Sequence, residues 1–346
     1  MRARVAWWPL LVAFLAVSAA SGSPAAHAEE AGDISFLNLG TSDAKGGDLG
    51  QESIVRGRSS SNHMFTVSAE MLALTRVGGR SFPLLTQTSD GSTVLSTGDL
   101  KFPMAYTPRF TGKLNEILFG GDLEFVYFGV VNWATDRTVP DPSSLQISFV
   151  DPSGGPVTSP VAFTYQSRLQ SAEVNFWYPL IPKFSVLLGF RWLELQEGIA
   201  SDTTVPPTNG NLTLFDANVI NRMYGLQLGA GTQFVSGPSG FHVGASIKAG
   251  AYDNMAQSTW SAGPGGGVVL SVENRSHLAF VAQASLLAGY DITPFMTLRL
   301  GYEAFWMDGV TLAANQLANN ADGDLRPATN GSLFSHGVSA GLQLNF

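Results

Sequence analysis

The sequence predicts an all-β fold: an antiparallel up-and-down transmembrane β-barrel of about ten strands, with short periplasmic turns and long extracellular loops. Three observations predict it. Apolar and polar residues alternate with period two from residue 64 to the end, as they do in strands whose two faces meet different surroundings. The connections between the alternating segments are short and long by turns, the pattern of an up-and-down barrel with a turn end and a loop end. The composition is low in charge, 13%, against about 25% in soluble domains, and rich in Gly (38), Phe (22), Tyr (8) and Trp (7), which suits a surface facing lipid.

Residues 1–28 carry Arg2 and Arg4, then the apolar run VAWWPLLVAFLAV, then Ala26-His27-Ala28. This is the pattern of a secretory signal peptide cut after Ala28, and the run is short for a spanning helix, which needs about 20 residues. Without Arg2 and Arg4 the 19 basic residues become 17 against 27 acidic, so the exported chain lacks the basic excess of a nucleic-acid binder. There is no cysteine, hence no disulfide, thiol chemistry or cysteine-ligated metal. Residues 29–63 show little periodicity and much Gly, Ser and Asp, and read as a flexible extension. The barrel is expected over 64–346.

The first strand, 64–75, places Phe65, Val67, Ala69, Met71 and Ala73 on one face and Thr66, Ser68 and Glu70 on the other. Weaker alternation marks strands at 109–117, 121–134, 163–178 and 183–198; in the last the phase slips near Leu193 and Glu194, which reads as a bulge. Clear alternation returns at 218–235, 240–256, 276–291 and 295–309. Short connections fall at 118–121, 179–182, 236–240 and 292–294, and long ones at 76–108, 135–162, 199–217, 257–275 and 310–332. TSDGST (88–93) reads as a hairpin turn, either an arm of the first long loop or an extra pair that raises the count to twelve.

The chain ends LFSHGVSAGLQLNF, with Val338, Ala340, Leu342, Leu344 and Phe346 on one face. Chain ends ordinarily fray, so alternation running to the last residue predicts a closing strand; its outward aromatic terminus resembles the C-terminal assembly signal of bacterial outer-membrane proteins. With the apolar face turned to lipid, the charges left inside are Glu70, Lys113, Glu124, Glu173, Arg191, Lys248, Arg299 and Glu303, four acidic and four basic. Barrels of about 8 strands are filled by their own side chains, whereas 16 to 18 leave a channel, so ten predict a narrow or occluded lumen. The inward Gly229, Gly231, Gly244, Gly250, Gly289, Gly301, Gly337 and Gly341 argue for space inside, or equally for curvature and close approach.

An enzyme needs a nucleophile, a base and an orienting group in convergence. Beyond residue 28 the histidines are His63, His242, His277 and His336. Of these His242 is expected inside near a short turn, His336 outside, and His277 at the loop rim near Asp253, Ser276 and Asp308. No catalytic motif accompanies them, and solvated loop histidines are the commoner case. GPGGG (263–267) lacks the lysine of a phosphate loop. NNADGD (319–324) has calcium-type oxygens without the following glutamate. The N-x-S/T triplets at Asn211, Asn274 and Asn330 are chance occurrences. No catalytic residue, metal or cofactor is expected.

The segments YQSRLQSAEVNFWYPLIPKFSVLLGFRWLELQEGI (165–199), YGLQLGAGTQF (224–234), HVGASIKAGAYDN (242–254) and LRLGYEAFWMDGVTLAANQL (298–317) resemble the planctomycete-type family of outer-membrane β-barrel porins. The likeness is strong in the second half and loose in the first, through FTVSAEMLAL and DLEFVYFGVVNW. It implies an outer-membrane location and porin-like passage of small solutes through a narrow polar lumen, and supplies no catalytic residues. The alternative is a structural or adhesive barrel that acts through its loops. The expected partners are outer-membrane lipid and lipopolysaccharide, the barrel-assembly machinery during biogenesis and small solutes, with no nucleic acid; the sequence does not specify an oligomeric state.

Overall fold

The structure is a computed structural model that describes residues 63–77, 79–141, 144–148, 159–204, 211–236, 240–262, 271–321 and 326–346. The expected signal peptide, all but the last residue of the 29–63 extension, the GPGGG stretch and the DGD of 319–324 lie outside the described residues. Ten antiparallel strands close a barrel in the order β1 (Phe65–Val77), β13 (Gly331–Asn345), β12 (Met296–Val310), β11 (Ser271–Thr293), β10 (Phe241–Ala262), β9 (Asn211–Ser236), β8 (Phe184–Thr204), β7 (Val161–Ile181), β5 (Gly121–Val139) and β4 (Ala105–Leu118), the last returning to β1. The remaining strands, β2 (Pro83–Gln87), β3 (Thr93–Ser96) and β6 (Leu145–Ile147), form a separate three-stranded sheet. The hairpin at 88–93 is therefore an arm of the first loop, completed by a strand from the second, and the count is ten.

Closure joins the two ends of the barrel chain. β13 pairs with β1 from Thr66↔Asn345 to Val77↔Phe334. Phe65 and Phe346 exchange both backbone hydrogen bonds, at 2.8 and 3.2 Å, and stack their rings with centroids 6.5 Å apart. Full closure leaves no sheet edge within the bilayer, where an unpaired peptide group has no water to bond. The expected phase holds in this strand: Val338, Ala340, Leu342, Leu344 and Phe346 are exposed on the outer face, while Ser339 and Gln343 are buried inside.

The outer face shows where lipid begins and ends. Along β8 the outward residues Phe184, Val186, Leu188, Phe190 and Trp192 give way to Glu194 and Gln196. Along β7 Tyr178, Phe176, Val174 and Ala172 give way to Gln170 and Arg168. On β9 the change falls between Tyr224 and Arg222, and on β10 between Ala251 and Asp253. Phe184 to Trp192 is about the 9–11 residues a tilted strand needs to cross the hydrocarbon.

Past that level β5 and β7 to β11 continue, and they run to 19–26 residues, while β12, β13, β1 and β4 stop at 13–15. The continuing parts form a wall on the loop side whose polarity is inverted. On β7 the inner face carries Val161, Phe163, Tyr165 and Leu169, and the outer face Thr164, Gln166 and Arg168. The expected strands, 163–178, 183–198, 218–235 and 240–256 among them, run past this level but stop short of the observed strand ends on the loop side.

The inversion of polarity corrects the expected bulge at Leu193 and Glu194. The pairing of β8 with both neighbours is continuous through those residues, and Arg191, Leu193, Leu195, Glu197 and Ile199 all face inward. What changes there is the kind of residue inside, from charged to apolar. Register shifts lie elsewhere, in β5 against β7 between Phe128 and Val131 and in β8 against β9 between Ser201 and Asp202.

Candidate functional site: the barrel interior

Viewed from the turn end, the first layer of the interior is charged. Each of the eight charges expected in the lumen faces it, and all are paired. Glu70 on β1 accepts from Arg109 on β4 at 2.6 Å and from Arg299 on β12 at 2.7 Å. Arg109 also donates to Glu303 at 2.6 Å, and Glu303 accepts from Gln283 at 3.1 Å. Gln283 in turn accepts from Arg191 on β8 at 2.9 Å, which crosses the lumen.

Beyond Arg191 stands Glu173 on β7, 3.5 Å away, which accepts from Lys248 at 2.8 Å, Gln227 at 2.8 Å and Asn175 at 3.0 Å. Glu124 accepts from Asn175 at 3.0 Å and Trp177 at 3.1 Å and lies 3.8 Å from Lys248. Lys113 pairs with Asp122 at 2.8 Å. One continuous network of hydrogen bonds and ion pairs thus ties β1, β4 and β12 to β7, β8, β10 and β11. A buried charge is tolerable when it is paired and its remaining hydrogen-bonding capacity met, and most of this set satisfies both conditions.

Below and among these groups lies a vestibule of about 150 Å³ lined by Lys113, Glu124, Lys248, Arg299 and Glu303, with Phe128 and Leu287 also on its wall. A liquid-water molecule occupies about 30 Å³, so the vestibule has room for a few waters. Of the inward glycines Gly244 lies on the vestibule wall, whereas Gly337 and Gly341 serve close approach of strands. A Cβ on Gly337 would fall inside contact distance of the Ala73 carbonyl, and one on Gly341 inside that of Ala69, so these glycines let β13 and β1 approach closely.

Above the network the lumen is apolar. Leu72, Leu74, Phe128, Val131, Trp133, Leu169, Leu193, Leu195, Met223, Val281, Phe305, Met307 and Leu333 converge from the strands into one buried cluster, and Leu312 joins from the fifth long loop. Arg191 lies under Phe305, its guanidinium 5.7 Å from the ring centroid, where the two layers meet. A third layer fills the space inside the wall. There the β2–β3–β6 sheet brings Leu84, Leu85, Leu95, Leu145 and Ile147 against Phe163, Phe215 and Trp260, the loop after β3 adds Leu100, and α1 (Ala313–Ala321) brings Ala313 and Leu317.

The two inserted elements are held differently. The sheet buries five large aliphatic side chains, worth about 8–15 kcal/mol at roughly 1.5–3 each. α1 buries Leu317 with Ala313, Ala314 and Ala318, about 4–5 kcal/mol on the same scale. Polar tethers make up part of the difference. The Asn221 side chain donates to the Thr311 carbonyl at 2.8 Å and accepts from the Thr311 N–H at 2.7 Å. Asn254 donates to Asn221 at 2.9 Å and to the Gly309 carbonyl at 3.2 Å. The Glu197 carboxylate accepts the Ala313 N–H at the start of α1 at 2.9 Å, along with Tyr165 at 2.9 Å and Ser167 at 3.1 Å, and pairs with Arg76.

Sequence reasoning missed Arg109, Arg76, Asp122 and Glu197. Arg109 shares parity with Lys113 on β4 but stood at the edge of the expected strand. Arg76 was assigned to a loop. Glu197 shares parity with Arg191, a relation hidden by the supposed phase slip. The rim residues considered for catalysis do not converge. Ser276 donates to Asp253 on the outer face, and His277, the next residue, faces the other way. His277 and Asp308 instead line a shallow cavity with Arg275, Asn319 and Asn330. His242 is buried inside the barrel near the turn end and His336 hydrogen-bonds Tyr302 at 2.9 Å on the outer face.

A closed antiparallel barrel with a lipid-facing belt and a layered, filled lumen is an outer-membrane β-barrel. The chain belongs to the family described as Putative beta barrel porin-7, which it matches over residues 135–346. Among solved structures it resembles the outer membrane protease OmpT of Escherichia coli at 10% identity and TM-score 0.47, covering 86% of this chain and 100% of that one. It also resembles Neisserial surface protein A at 10% identity and TM-score 0.27, covering 82% and 97%. A third likeness is to the toluene transporter TodX of Pseudomonas putida at 10% identity and TM-score 0.33, covering 83% and 90%. No curated protein sequence matches the chain.

Proposed function

We propose that the protein is a porin-family barrel closed at rest, which passes small solutes only when its apolar layer parts. The observation that carries this reading is the junction of a polar vestibule with a layer of side chains drawn from the strands themselves. Hydrophobic constrictions gate by dewetting, and a lumen polar on one side and apolar on the other has that form. The vestibule lies at the turn end, so on this reading it opens to the periplasm and the inserted sheet and α1 face outward. Export through a signal peptide cut after Ala28 accompanies the proposal and is checked by finding Glu29 at the N-terminus of the purified protein.

The experiment is planar-bilayer conductance. Refolded wild-type protein should pass brief, infrequent currents. Leu193→Ser combined with Met223→Ser should raise the open fraction, provided the variant keeps the heat-modifiable gel migration of a folded barrel. Steady wild-type currents would remove the closed state. The second reading, a non-transporting surface barrel, is favoured by the folded sheet on the loop side, and it would be adopted if the folded double variant also passes no current.

A further inference from the structure

We infer that the segment from Thr311 to the end of α1 is the moving part of the gate, and that Asn221, Asn254 and Glu197 are the latch that holds it. The inference rests on the closed-porin reading and specifies its regulation.

Two inserted elements could move, and they differ in kind. The three-stranded sheet is built from two loops and holds its place by large aliphatic side chains. The fifth loop is a single excursion between β12 and β13, and its helix AANQLANNA has Leu317 as its one large apolar residue. Its polar hold on the wall is by hydrogen bonds to backbone groups: Thr311 through Asn221, which Asn254 in turn holds while also bonding Gly309 at the end of β12, and Ala313 through Glu197. Water can replace those bonds when the segment leaves, and its departure exposes two buried leucines, Leu312 and Leu317, where the sheet would expose Leu84, Leu85, Leu95, Leu145 and Ile147. Gly309, with φ of +77°, lies directly before Val310 and Thr311 and provides a left-handed position at the root of the segment.

The same segment reaches both apolar layers. Leu312 is buried in the lower cluster, and Ala313 and Leu317 in the upper. Outward motion of the segment therefore withdraws side chains from both at once. Glu197 adds a second hold to the latch: it binds Arg76 at the end of β1 and the first helical N–H together, so β1, the wall and α1 share one carboxylate. Arg76 in turn lies over Phe102 of the first loop, 4.9 Å from the ring centroid.

Because the chain contains no cysteine, a single introduced thiol reports its own burial. Ala314→Cys places one on α1 and Leu95→Cys one on the sheet, both buried in the resting state. Each is placed in the full-length folded barrel and reacted with a membrane-impermeant maleimide. Asn221→Ala should speed labelling at 314 at least tenfold and leave labelling at 95 unchanged. Asn254→Ala should act the same way more weakly, and it serves if Asn221→Ala fails to fold. Equal acceleration at both positions would overturn the inference, as would no acceleration at 314. Labelling reads motion without current. Selective labelling with conductance unchanged would therefore refute the pore reading while leaving this segment as the mobile element.

Discussion

The turn-side and loop-side halves of the interior face the same problem, how to fill a ten-stranded cylinder, and solve it oppositely. The turn-side half fills it with ion pairs: Glu173 with Lys248 and Arg191, and Glu70 and Glu303 with Arg109. The loop-side half fills it mainly with Leu193, Leu195, Met223 and Phe305, then with an inserted sheet and helix, and keeps the buried pair of Arg76 and Glu197 beside them. The outer surface inverts with it. Where lipid covers the outside, the apolar residues face out and the polar ones must pair within; where water covers the outside, the apolar residues turn in and make an ordinary core. The difference teaches that one alternating pattern can serve two solvents along a single strand, with the change of solvent marked by a change in what each parity carries.

The comparison is tested first where its expected effect is largest. Glu173→Ala should cost about 3–5 kcal/mol, because it leaves Arg191 and Lys248 buried without their common partner. The midpoint of urea unfolding in lipid vesicles measures it. A loss below about 1 kcal/mol would mean the turn-side half is wet enough to screen its charges, and the two halves would differ less than their side chains suggest.

Leu193→Ala, on the loop side of the boundary, should cost about 2–5 kcal/mol, the range for a buried leucine whose cavity does not collapse. A near-neutral result in the same unfolding assay would show that the apolar layer is loosely packed and easily parted at rest. On the outer surface, Leu188→Arg places a cation in the lipid belt and should cost about 2–4 kcal/mol near the midplane. The same change at Gln196, two turns of the pleat beyond Trp192, should be close to neutral. Equal costs would displace the membrane boundary assigned between Trp192 and Glu194.

The smallest expected effect belongs to the charge pair just past that boundary. Glu194 and Arg222 are 3.0 Å apart on the outer face, with the arginine side chain 46% exposed. Glu194→Ala should therefore cost about 1 kcal/mol or less, and the loss should shrink in high salt. A cost approaching that of Glu173→Ala would place Glu194 in a desolvated setting and move the boundary outward.

Much of this was legible in the chain because period two is a local signal. The parity of Glu70, Glu173, Lys248 and Glu303 depends on no distant residue, and the alternation to Phe346 needs a closed barrel to make sense at a terminus. The expectation of about ten strands followed from the same reasoning with the spacing of the turns. The loop-side half was not legible in this way. Val161, Phe163 and Tyr165, or Phe215, Ala217 and Val219, alternate as regularly as any strand, but their parity acquires meaning only from what lies on each side.

By itself the sequence determined which residues share a face and that the last strand must be held at both edges, since both follow from backbone geometry and the need to satisfy every peptide group in lipid. It left ten or twelve strands open, and the structure set the count at ten by placing the hairpin at 88–93 in a separate sheet. Only the tertiary structure decided which partner each buried charge takes. Arg299 stands two pleats from Glu303 on its own strand, yet bonds Glu70 from β1, and Arg109 from β4 takes Glu303. Curvature brings β1 and β4 across the seam to β12, and no count along the chain contains that distance. The tertiary structure likewise decided that the lumen is closed, because the Leu, Met and Phe side chains that meet at its centre come from strands far apart in sequence and share nothing but the axis they point toward.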